Sequence, residues 1–341
     1  NTRINSIILQ SDGKIVVPGA FTSLNPNSST TTTTTTSTAT PAPADSTTTT
    51  TNANGGTTTT TISTVGGVTT TTVVSISAAP TPRNYVARLN SDGTLDTKYD
   101  PNLGGTVSSM VMQADGKIVI GGAFAQLAPN GATTGTVRNH IARLNTDGTV
   151  DTGYDPNLSD IVTALALDAS GRVLVGGSFT TVQPNGAAAS TSRTYLARLN
   201  TDGTLDAAFD PNPNLPPSAI AVQSDGRILI GGAFTAVKPN GATIATTRNR
   251  IARLGADGSV DLTFNPDAND TVNVIAVQSD GSIVAGGFFT TLQPNVALLI
   301  GGAFNNVGGV ALPNLAVLND DGTVGGAFQP NPNGAVNALL A

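Results

Sequence analysis

The chain repeats itself at a fixed spacing of 55 residues. The segment Gly121–Phe124 recurs at Gly176–Phe179 and again at Gly231–Phe234. Four arginines keep the same spacing, namely Arg88, Arg143, Arg198 and Arg253. Self-similarity at a period of this length is typical of propellers and solenoids, in which each repeat buries its apolar faces against neighbouring repeats. This periodicity constrains the architecture more than any local motif does.

One repeat, residues 106–160, has the pattern of two β-hairpins. Val107–Gln113 and Lys117–Phe124 are apolar runs joined at an Asp-Gly pair, a strong hairpin signal because the tight turn needs positive φ. His140–Asn145 and Thr149–Tyr154 repeat this arrangement. Two hairpins supply the four antiparallel strands of one propeller blade. The sequence therefore predicts an all-β fold, a β-propeller of four-stranded antiparallel blades.

Composition supports this fold and excludes several functions. The chain has 38 Gly, 20 Pro, four Lys and no Glu, which favours turns over helices. The net charge of −6 and pI near 4.6 argue against nucleic-acid binding, which needs a basic surface. No cysteine is present, so disulfides and thiolate metal sites are excluded. No apolar run approaches the roughly 18 residues of a membrane span.

The second strand of each repeat ends in glycine followed by phenylalanine. Consecutive glycines such as Gly121 and Gly122 predict a bulge or a close approach of backbone. We expect the phenylalanines to pack as wedges between blades rather than to bind a ligand. They are Phe21, Phe124, Phe179, Phe234, Phe289 and Phe304.

The number of blades depends on one irregular point. Phe289 and Phe304 are only 15 residues apart, so two copies of the second strand follow each other with half a blade missing. Residues absent between Asn295 and Val296 would give six blades, which we favour; a true deletion would give five with an irregular last blade. Residues 334–341 copy an opening strand without a hairpin partner and are predicted to be an unpaired terminal strand, a template for pairing with another chain.

Residues 28–82 form a Thr-rich, low-complexity insertion between the second and third strands of the first blade. The segment has few large apolar residues and cannot bury a core, so it is predicted to be disordered or stalk-like. It is either an O-glycosylated or assembly-mediating arm, or a solvated spacer. The β propensity of threonine leaves a third possibility, an extended strand ordered against a neighbour.

Three long motifs resemble the bacterial delta-60 repeat family. They are Gln223–Phe234, Arg248–Leu254 and Asp257–Pro266, and the resemblance covers nearly the whole chain outside the Thr-rich insertion. The resemblance implies a β-propeller in a secreted or surface protein with an interaction or structural role. Family members generally lack an assigned activity, so no catalytic residue is transferred to this chain.

No catalytic constellation is evident in the sequence. The single histidine, His140, is matched in other repeats by Tyr85, Tyr195 and Arg250, which indicates an exposed strand position rather than a catalyst. No Gly-x-Ser-x-Gly nucleophile elbow is present. We therefore expect that the protein has no enzymatic activity and binds no cofactor.

Calcium is the one metal that the pattern allows, as a weak candidate. Asn145, Asp147, Gly148 and Asp151 resemble the tail of a calcium loop, but Arg143 stands at its first ligand position and the distal Glu is missing. The equivalent weak candidates are Asp92, Asp96, Asp147, Asp151, Asp202, Asp206, Asp257 and Asp261.

The recurring arginines, Arg88, Arg143, Arg198 and Arg253, have two interpretations. They could line a channel and bind anions. We expect instead a structural ion pair between each arginine and an aspartate of its own or the adjacent blade, since an unpaired buried charge is very costly.

These observations predict a non-enzymatic, extracellular structural protein of a bacterial cell surface or filament. It would assemble with further copies of itself through the terminal strand and the loops between second and third strands. The alternatives are an adhesin or lectin-like module that recognises glycan or protein through those loops, and a propeller hydrolase or lyase. No nucleic-acid partner and no membrane span are expected.

Overall fold

The computed structural model describes residues 4–24, 81–239 and 241–292 in full. Within 32–76 and 298–318 it describes eight further strands by their backbone. Phe304, the junction Asn295–Val296 and the predicted terminal strand 334–341 lie outside the described residues.

The described repeats form successive antiparallel ladders, here called units 1 to 5. In units 1 to 4 the second strand lies between the opening strand and the third strand. The opening strands are Ile8–Leu9, Val107–Met112, Val162–Leu167, Pro217–Val222 and Val272–Val277. The second strands are Ile15–Pro18, Ile118–Gly122, Val173–Gly177, Ile228–Gly232 and Ile283–Gly287. The third strands of units 1 to 4 are Val86–Leu89, Ile141–Leu144, Leu196–Leu199 and Ile251–Leu254.

The fourth strand of each blade is much shorter than the sequence predicts. In unit 2 it joins the third strand through one bridge, Leu144 to Val150, with equivalents at Leu89–Leu95, Leu199–Leu205 and Leu254–Val260. The reason is the next residue, Asp151. Its carboxylate accepts a hydrogen bond from Gly153 N at 3.0 Å and its carbonyl accepts one from Tyr154 N at 3.2 Å, so the chain turns away immediately.

The loop between second and third strands carries a small hairpin in units 1 to 4. The paired strands are Ser23–Leu24 with Thr81–Pro82, Gln126–Leu127 with Thr136–Val137, Thr181–Val182 with Thr191–Ser192, and Ala236–Val237 with Thr246–Thr247. Two of these loops contain a 3-10 turn at Pro-Asn-Gly, Pro129–Gly131 and Pro184–Gly186.

The Thr-rich insertion contains regular strands, so these stretches are not the disordered segment that was one of the expectations, whereas a stalk-like arm stays a prediction. Thr32–Ser37, Ser46–Thr51, Thr57–Val65 and Val68–Ile76 form one four-stranded antiparallel sheet. Their spatial order is first, fourth, third, second. Because threonine is β-branched, an extended backbone suits it even where no apolar pattern is present.

Unit 5 departs from the other units where the sequence period breaks. Leu298–Gly302 pairs in parallel with Ile283–Gly287 and antiparallel with Leu315–Leu318, and a short hairpin joins Asn306–Val307 to Val310–Ala311. Two copies of the second strand therefore lie side by side in one sheet. The choice between five and six blades stays a prediction, because residues 319–341 lie outside the described part of the chain.

The hydrophobic core lies between consecutive units. Val119 and Ile141 of unit 2 share one buried cluster with Val162, Leu165 and other residues of unit 3, and three further clusters join units in the same way. Five of the predicted wedges are buried in these clusters or in that of unit 1, namely Phe21, Phe124, Phe179, Phe234 and Phe289. Stacking of sheets in this way is what a propeller blade requires.

The paired glycines allow this stacking. A Cβ at Gly121 would lie 2.4 Å from Val162 Cγ1 of unit 3, and a Cβ at Gly122 would lie 2.0 Å from the carbonyl oxygen of Thr106. The opening strand shifts register at this point, between Val107 and Ser109. The predicted bulge and the predicted close approach of backbone are therefore both present, one at each glycine.

Replacing Gly122 with alanine should destabilise the protein. Overpacking against fixed backbone typically costs about 1–3 kcal/mol, so we expect a clearly lower thermal unfolding midpoint. Gly153→Ala is the matched control, because its added methyl meets only Asp151 Oδ1, at 3.5 Å. Equal unfolding midpoints for the two variants in calorimetry would contradict this account.

Candidate functional site

Arg143 connects two units through its guanidinium. It lies on the third strand of unit 2, where Nε donates a hydrogen bond to Asp151 Oδ2 at 2.9 Å. Nη1 donates to the carbonyl oxygen of Thr201, in the Asp-Gly turn of unit 3, at 2.6 Å. The side chains of Arg143 and Asp151 are only 12% and 14% exposed. A single side chain thus satisfies a carboxylate of its own unit and a backbone carbonyl of the next.

An aromatic ring completes the arrangement. The guanidinium carbon of Arg143 lies 4.4 Å from the centre of the buried Tyr154 ring. The same ring packs on the following turn, since a Cβ at Gly203 would lie 2.9 Å from Tyr154 Cδ2. Gly203 has φ of +88°, so only glycine suits both the turn and the ring. We call this group the Arg–Asp–aromatic contact.

The Arg–Asp–aromatic contact recurs in units 1, 3 and 4, with Arg88, Asp96 and Tyr99 in unit 1. The hydrogen bond to the next unit also recurs, from Arg88 to the carbonyl of Thr146 at 2.6 Å and from Arg198 to that of Ala256 at 2.5 Å. The remaining members are Arg198, Asp206, Phe209, Arg253, Asp261 and Phe264. Each predicted arginine is thus paired with the aspartate eight positions later.

A second cation approaches each of these carboxylates from the beginning of the second strand. Lys117 Nζ lies 2.7 Å from Asp151 Oδ2, and Arg172 Nη1 lies 3.2 Å from Asp206 Oδ2. Lys14 near Asp96 and Arg227 near Asp261 are more distant, at 3.8 and 3.9 Å. The aspartates therefore lie between two positive charges.

These neighbours keep the carboxyl groups ionised. Burial of Asp261 opposes ionisation, but hydrogen bonds from Thr263 and Arg253 outweigh it and lower its pKa to about 2. The pKa of Asp151 is also lowered, with burial again opposing and Lys117 and Arg143 favouring the charged form. Burial raises the pKa of Tyr154, so that ring stays neutral beneath the guanidinium.

The calcium candidates have protein partners in the structure. Asp96, Asp151, Asp206 and Asp261 face the cations just described. The other four accept hydrogen bonds from the backbone N–H and hydroxyl two residues later, as Asp147 does from Thr149 at 2.9 and 2.6 Å. They are Asp92, Asp147, Asp202 and Asp257. Such carboxylates stabilise the Asp-Gly turns, and two adjacent cations oppose a divalent ion.

A second series of arginines, which was not predicted from the sequence, lies behind the aromatic residues. Arg138 is buried, and its Nε and Nη2 donate to the carbonyls of Tyr154 and Thr152 at 3.1 and 3.0 Å. It therefore holds the chain segment that carries the aromatic residue. The same 55-residue spacing was the available signal, since the series is Arg83, Arg138, Arg193 and Arg248.

The position of His140 differs from the exposed strand site that the sequence predicts. It is half-buried with φ of +64°, and its Nδ1 lies 3.3 Å from the carbonyl oxygen of Gly122. Tyr85, Tyr195 and Arg250 adopt the same left-handed conformation with φ of 65–66°. The backbone explains it: His140 N donates to Phe124 O and His140 O accepts from Gly122 N, both at 2.9 Å, which bends the chain into the third strand.

The titratable groups in the cleft between units 1 and 2 are paired. This open cleft of about 760 Å³ is lined by residues that include Asp12, Lys14, Arg88 and Thr146. Lys14 Nζ lies 3.3 Å from Asp12 Oδ2, and Arg88 is held by Asp96. Among the described residues, no three acidic or histidine side chains come together in a way that could hold a metal ion.

A family model described as "Domain of unknown function (DUF5122) beta-propeller" matches the chain at residues 10–31, 64–98, 113–154, 169–209 and 223–264, more than half of its length. The chain belongs to this family. Three of the matched DUF5122 segments begin at the turn before the second strand and end on the aromatic residue of the Arg–Asp–aromatic contact. The match confirms a β-propeller repeat family, whereas delta-60 is a finer name that stays a resemblance.

Several solved structures are similar to this DUF5122 chain at low sequence identity. The WD40 β-propeller domain of Doa1 is 9% identical, with 84% of this chain and 94% of that chain covered and a TM-score of 0.40. Virginiamycin B lyase from Staphylococcus aureus is 13% identical, with 89% and 76% covered and a TM-score of 0.41. PorZ, a surface component of the type-IX secretion system of Porphyromonas gingivalis, is 12% identical, with 94% and 38% covered and a TM-score of 0.31.

Two further findings concern known relatives and membrane-spanning helices. No curated protein matches it. No helix in the described residues is long and apolar enough to cross a membrane.

Replacing Arg143 with methionine should strongly destabilise the DUF5122 propeller. The change removes one of the two cations beside Asp151 and leaves the Thr201 carbonyl without its partner. Because Lys117 still faces Asp151, we expect a cost below the roughly 3–5 kcal/mol of a buried charge left wholly unpaired. Arg227→Met is the matched control, since that arginine is 48% exposed and its contacts with Asp225 and Asp261 are 3.4 and 3.9 Å long. Denaturant unfolding should separate the two variants, and similar midpoints would refute the assigned role of Arg143.

The stability of the propeller should also depend on acid pH. A carboxyl with a lower pKa in the folded protein than in the unfolded chain stabilises the fold above its unfolded pKa of about 3.9. For Asp261 this contribution is lost as the pH falls from about 4 toward its folded pKa of about 2. We expect the thermal unfolding midpoint to decrease as the pH is lowered through this window. In the Asp261→Asn variant the midpoint should decrease less steeply with pH. An unchanged slope in that variant would contradict the assignment.

Proposed function

We propose that this protein is a non-enzymatic, extracellular structural subunit that assembles with further copies of itself through its Thr-rich sheet. The observation that carries the proposal is the pair of outer strands in that sheet, Thr32–Ser37 and Ser46–Thr51. Each pairs on one side only within the sheet. No described strand pairs with their other sides, and we propose that these sides accept a further strand.

These outer strands lack the features by which proteins usually protect a sheet edge. Natural edges are interrupted by lysine, proline, bulges or very short strands. Both strands here are six residues long, read TTTTTS and STTTTT, and pair without a register shift. Strand addition at such an edge gains backbone hydrogen bonds along its full length.

The sheet does not have the composition of a layer that packs onto a hydrophobic core. Register places Thr34, Thr72, Thr61 and Thr47 in one row across all four strands. The neighbouring rows are also mostly Thr and Ser, so neither face is predominantly apolar. A sheet normally buries one apolar face, and this one has none to bury. Its edges are therefore the surface through which it can be stabilised by association.

A second copy of this chain is the partner that fits these edges. Every copy presents the same two threonine strands, and β-branched residues on facing strands favour extended pairing. The strands are uncharged, so like-charge repulsion does not oppose their approach although the whole chain carries a net charge of −6. Pairing of one edge with its counterpart would be a symmetric contact.

Two other parts of the proposal, the extracellular location and the absence of enzymatic activity, are supported by different observations. The delta-60 resemblance implies secreted or surface proteins. His140, the only histidine, supports a backbone bend, and no nucleophile elbow is present. Threonine glycosylation is the competing use of the same strands, because bulky sugars would block pairing. An intact mass equal to the mass calculated from the sequence would show that the threonines carry no sugar. The edges would then be accessible for assembly.

Lysine on each outer strand should prevent this assembly. We expect Thr34→Lys combined with Thr48→Lys to leave the propeller folded and to shift particles from assemblies to single molecules at physiological salt, measured by mass photometry and electron microscopy. Thr34→Val with Thr48→Val is the matched control, which keeps β-branching and should still assemble. Unchanged assembly by the lysine variant would refute the proposal.

A loop replacement provides an independent test. Residues 25–80 are exchanged for 183–190, the short loop between the equivalent strands of unit 3, which preserves the pairing of Ser23–Leu24 with Thr81–Pro82. This variant should remain a single particle with an unchanged thermal midpoint. Assembly as in the parent would show that the Thr-rich sheet is not the contact.

A further inference from the structure

Two clefts between units 1 and 2 join into one groove on the face of the hairpin turns. The inner cleft, of about 760 Å³, and an outer cleft of about 400 Å³ share Lys14, Arg88 and Thr146 as lining residues. We call the two together the turn groove. The inner cleft alone is within the roughly 300–1,000 Å³ of pockets that hold small ligands. The turn groove lies at the end of the strands opposite the loops between second and third strands.

The inner cleft contains a buried acceptor without a partner. Gln10 Oε1 is buried and receives no hydrogen bond from any described residue. The equivalent Gln113 accepts from Arg143 Nη1 and donates to the Gly171 carbonyl of unit 3, both at 3.2 Å. Gln113 thus bridges two units, whereas the Gln10 acceptor stays unused. Since a buried acceptor without a donor is costly, a ligand hydroxyl that donates to Gln10 would be favoured.

The outer cleft contains an ammonium group without a carboxylate partner among the described residues. Lys98 lines this cleft and is exposed, but it forms no ion pair there, whereas Lys14 and Arg88 each have one. The equivalents of Lys98 in units 2, 3 and 4 are Gly153, Ala208 and Thr263. Only unit 1 of these four therefore carries a cation at this position. The repeat itself does not need it, so it is a feature of this groove.

The charges that line the turn groove cancel. Three cations and three carboxylates are present, namely Lys14, Arg88, Lys98, Asp12, Asp96 and Asp147. Arg88 lies 2.9 Å from Asp96, and Lys14 lies 3.3 Å from Asp12. A ligand with a net charge would meet as many repulsive groups as attractive ones. A ligand of no net charge that both donates and accepts hydrogen bonds therefore fits best.

We propose that the turn groove binds a neutral, hydroxyl-rich carbohydrate chain. A sugar hydroxyl both donates and accepts, which matches a groove where amide, carboxylate and ammonium groups lie side by side. Gln10 Oε1 and the Asp147 carboxylate would accept from hydroxyls, and Lys98 would donate to a hydroxyl or ring oxygen. The apolar lining residues are Met112 and Ala114, so a ligand that depends on apolar contacts finds little surface.

A peptide fits the turn groove less well than a sugar. Proteins bind extended peptides through a free strand edge or through apolar pockets for side chains. The opening strands that border the groove are already paired, Ile8–Leu9 with Ile15–Pro18 and Val107–Met112 with Ile118–Gly122. The proposal does not rest on self-assembly, because the Thr-rich sheet is inserted at the other end of the strands.

Calorimetric titration and saturation-transfer NMR test the class of ligand. The probes are cellotriose, maltotriose and chitotriose, with trigalacturonate as the charged comparison and a triserine peptide blocked at both ends as the peptide comparison. We expect at least one neutral trisaccharide to bind, and to bind more tightly than either comparison. Failure of all three neutral sugars would overturn the proposal, as would tighter binding of trigalacturonate or of the peptide.

Substitutions in the turn groove test the site. Gln10→Leu with Lys98→Ala should raise the Kd of the bound trisaccharide at least about tenfold, because an acceptor and a charged donor are lost. Gln223→Leu with Lys238→Ala is the matched control, which should leave the Kd unchanged. Gln223 is the equivalent of Gln10 in unit 4, its Oε1 is also without a partner, and Lys238 is an exposed lysine of a loop.

Both variants are made in the Thr34→Lys, Thr48→Lys background, so that self-association contributes no heat and the two proposals can fail separately. Neither glutamine bonds another residue through Oε1, so both variants should keep the thermal unfolding midpoint of the parent. Equal Kd values for the groove variant and its parent would overturn the assignment of the site. An equal rise in Kd in the control variant would overturn it as well.

Discussion

The structure depends on one interaction, the guanidinium held between a carboxylate, an aromatic ring and the carbonyl of the following turn. A surface ion pair contributes little to stability, but a guanidinium largely removed from water cannot be left unpaired. The planar group suits three partners at once, because its edge donates hydrogen bonds while its face lies on a ring. Arg143 thereby connects the folding of unit 2 to the placement of unit 3.

Glycine has the complementary role on the apolar side of the same interface. The pair Gly121 and Gly122 lets one unit approach Val162 of the next while its own opening strand bulges against it. A polar contact on one side and an absent side chain on the other fix the spacing between consecutive sheets. The buried phenylalanines then fill the volume that this spacing leaves.

The sequence predicted those features that repeat, and missed those that depend on three-dimensional placement. The 55-residue period indicated stacked β units, and the recurring arginines suggested ion pairs with an aspartate of the same or the adjacent unit, which for Arg143 is Asp151 of its own unit. The bond from Arg143 to the Thr201 carbonyl crosses between units, so no local pattern reveals it. The left-handed backbone at His140 was missed because histidine, tyrosine and arginine at one position suggested exposure rather than a bend. The threonine strands were underestimated because they lack an apolar period, although β-branching favours extension.

Equivalent residues make the contact between each pair of consecutive units, which we call the seam, and this affects how the gene can change. Because each seam is made by the same residues on both sides, recombination that inserts or removes a whole 55-residue stretch restores every contact. A shorter exchange does not, because it joins parts of two units that are out of step with these contacts. Copy number in such chains can therefore drift in whole repeats while the join between any two of them stays chemically the same.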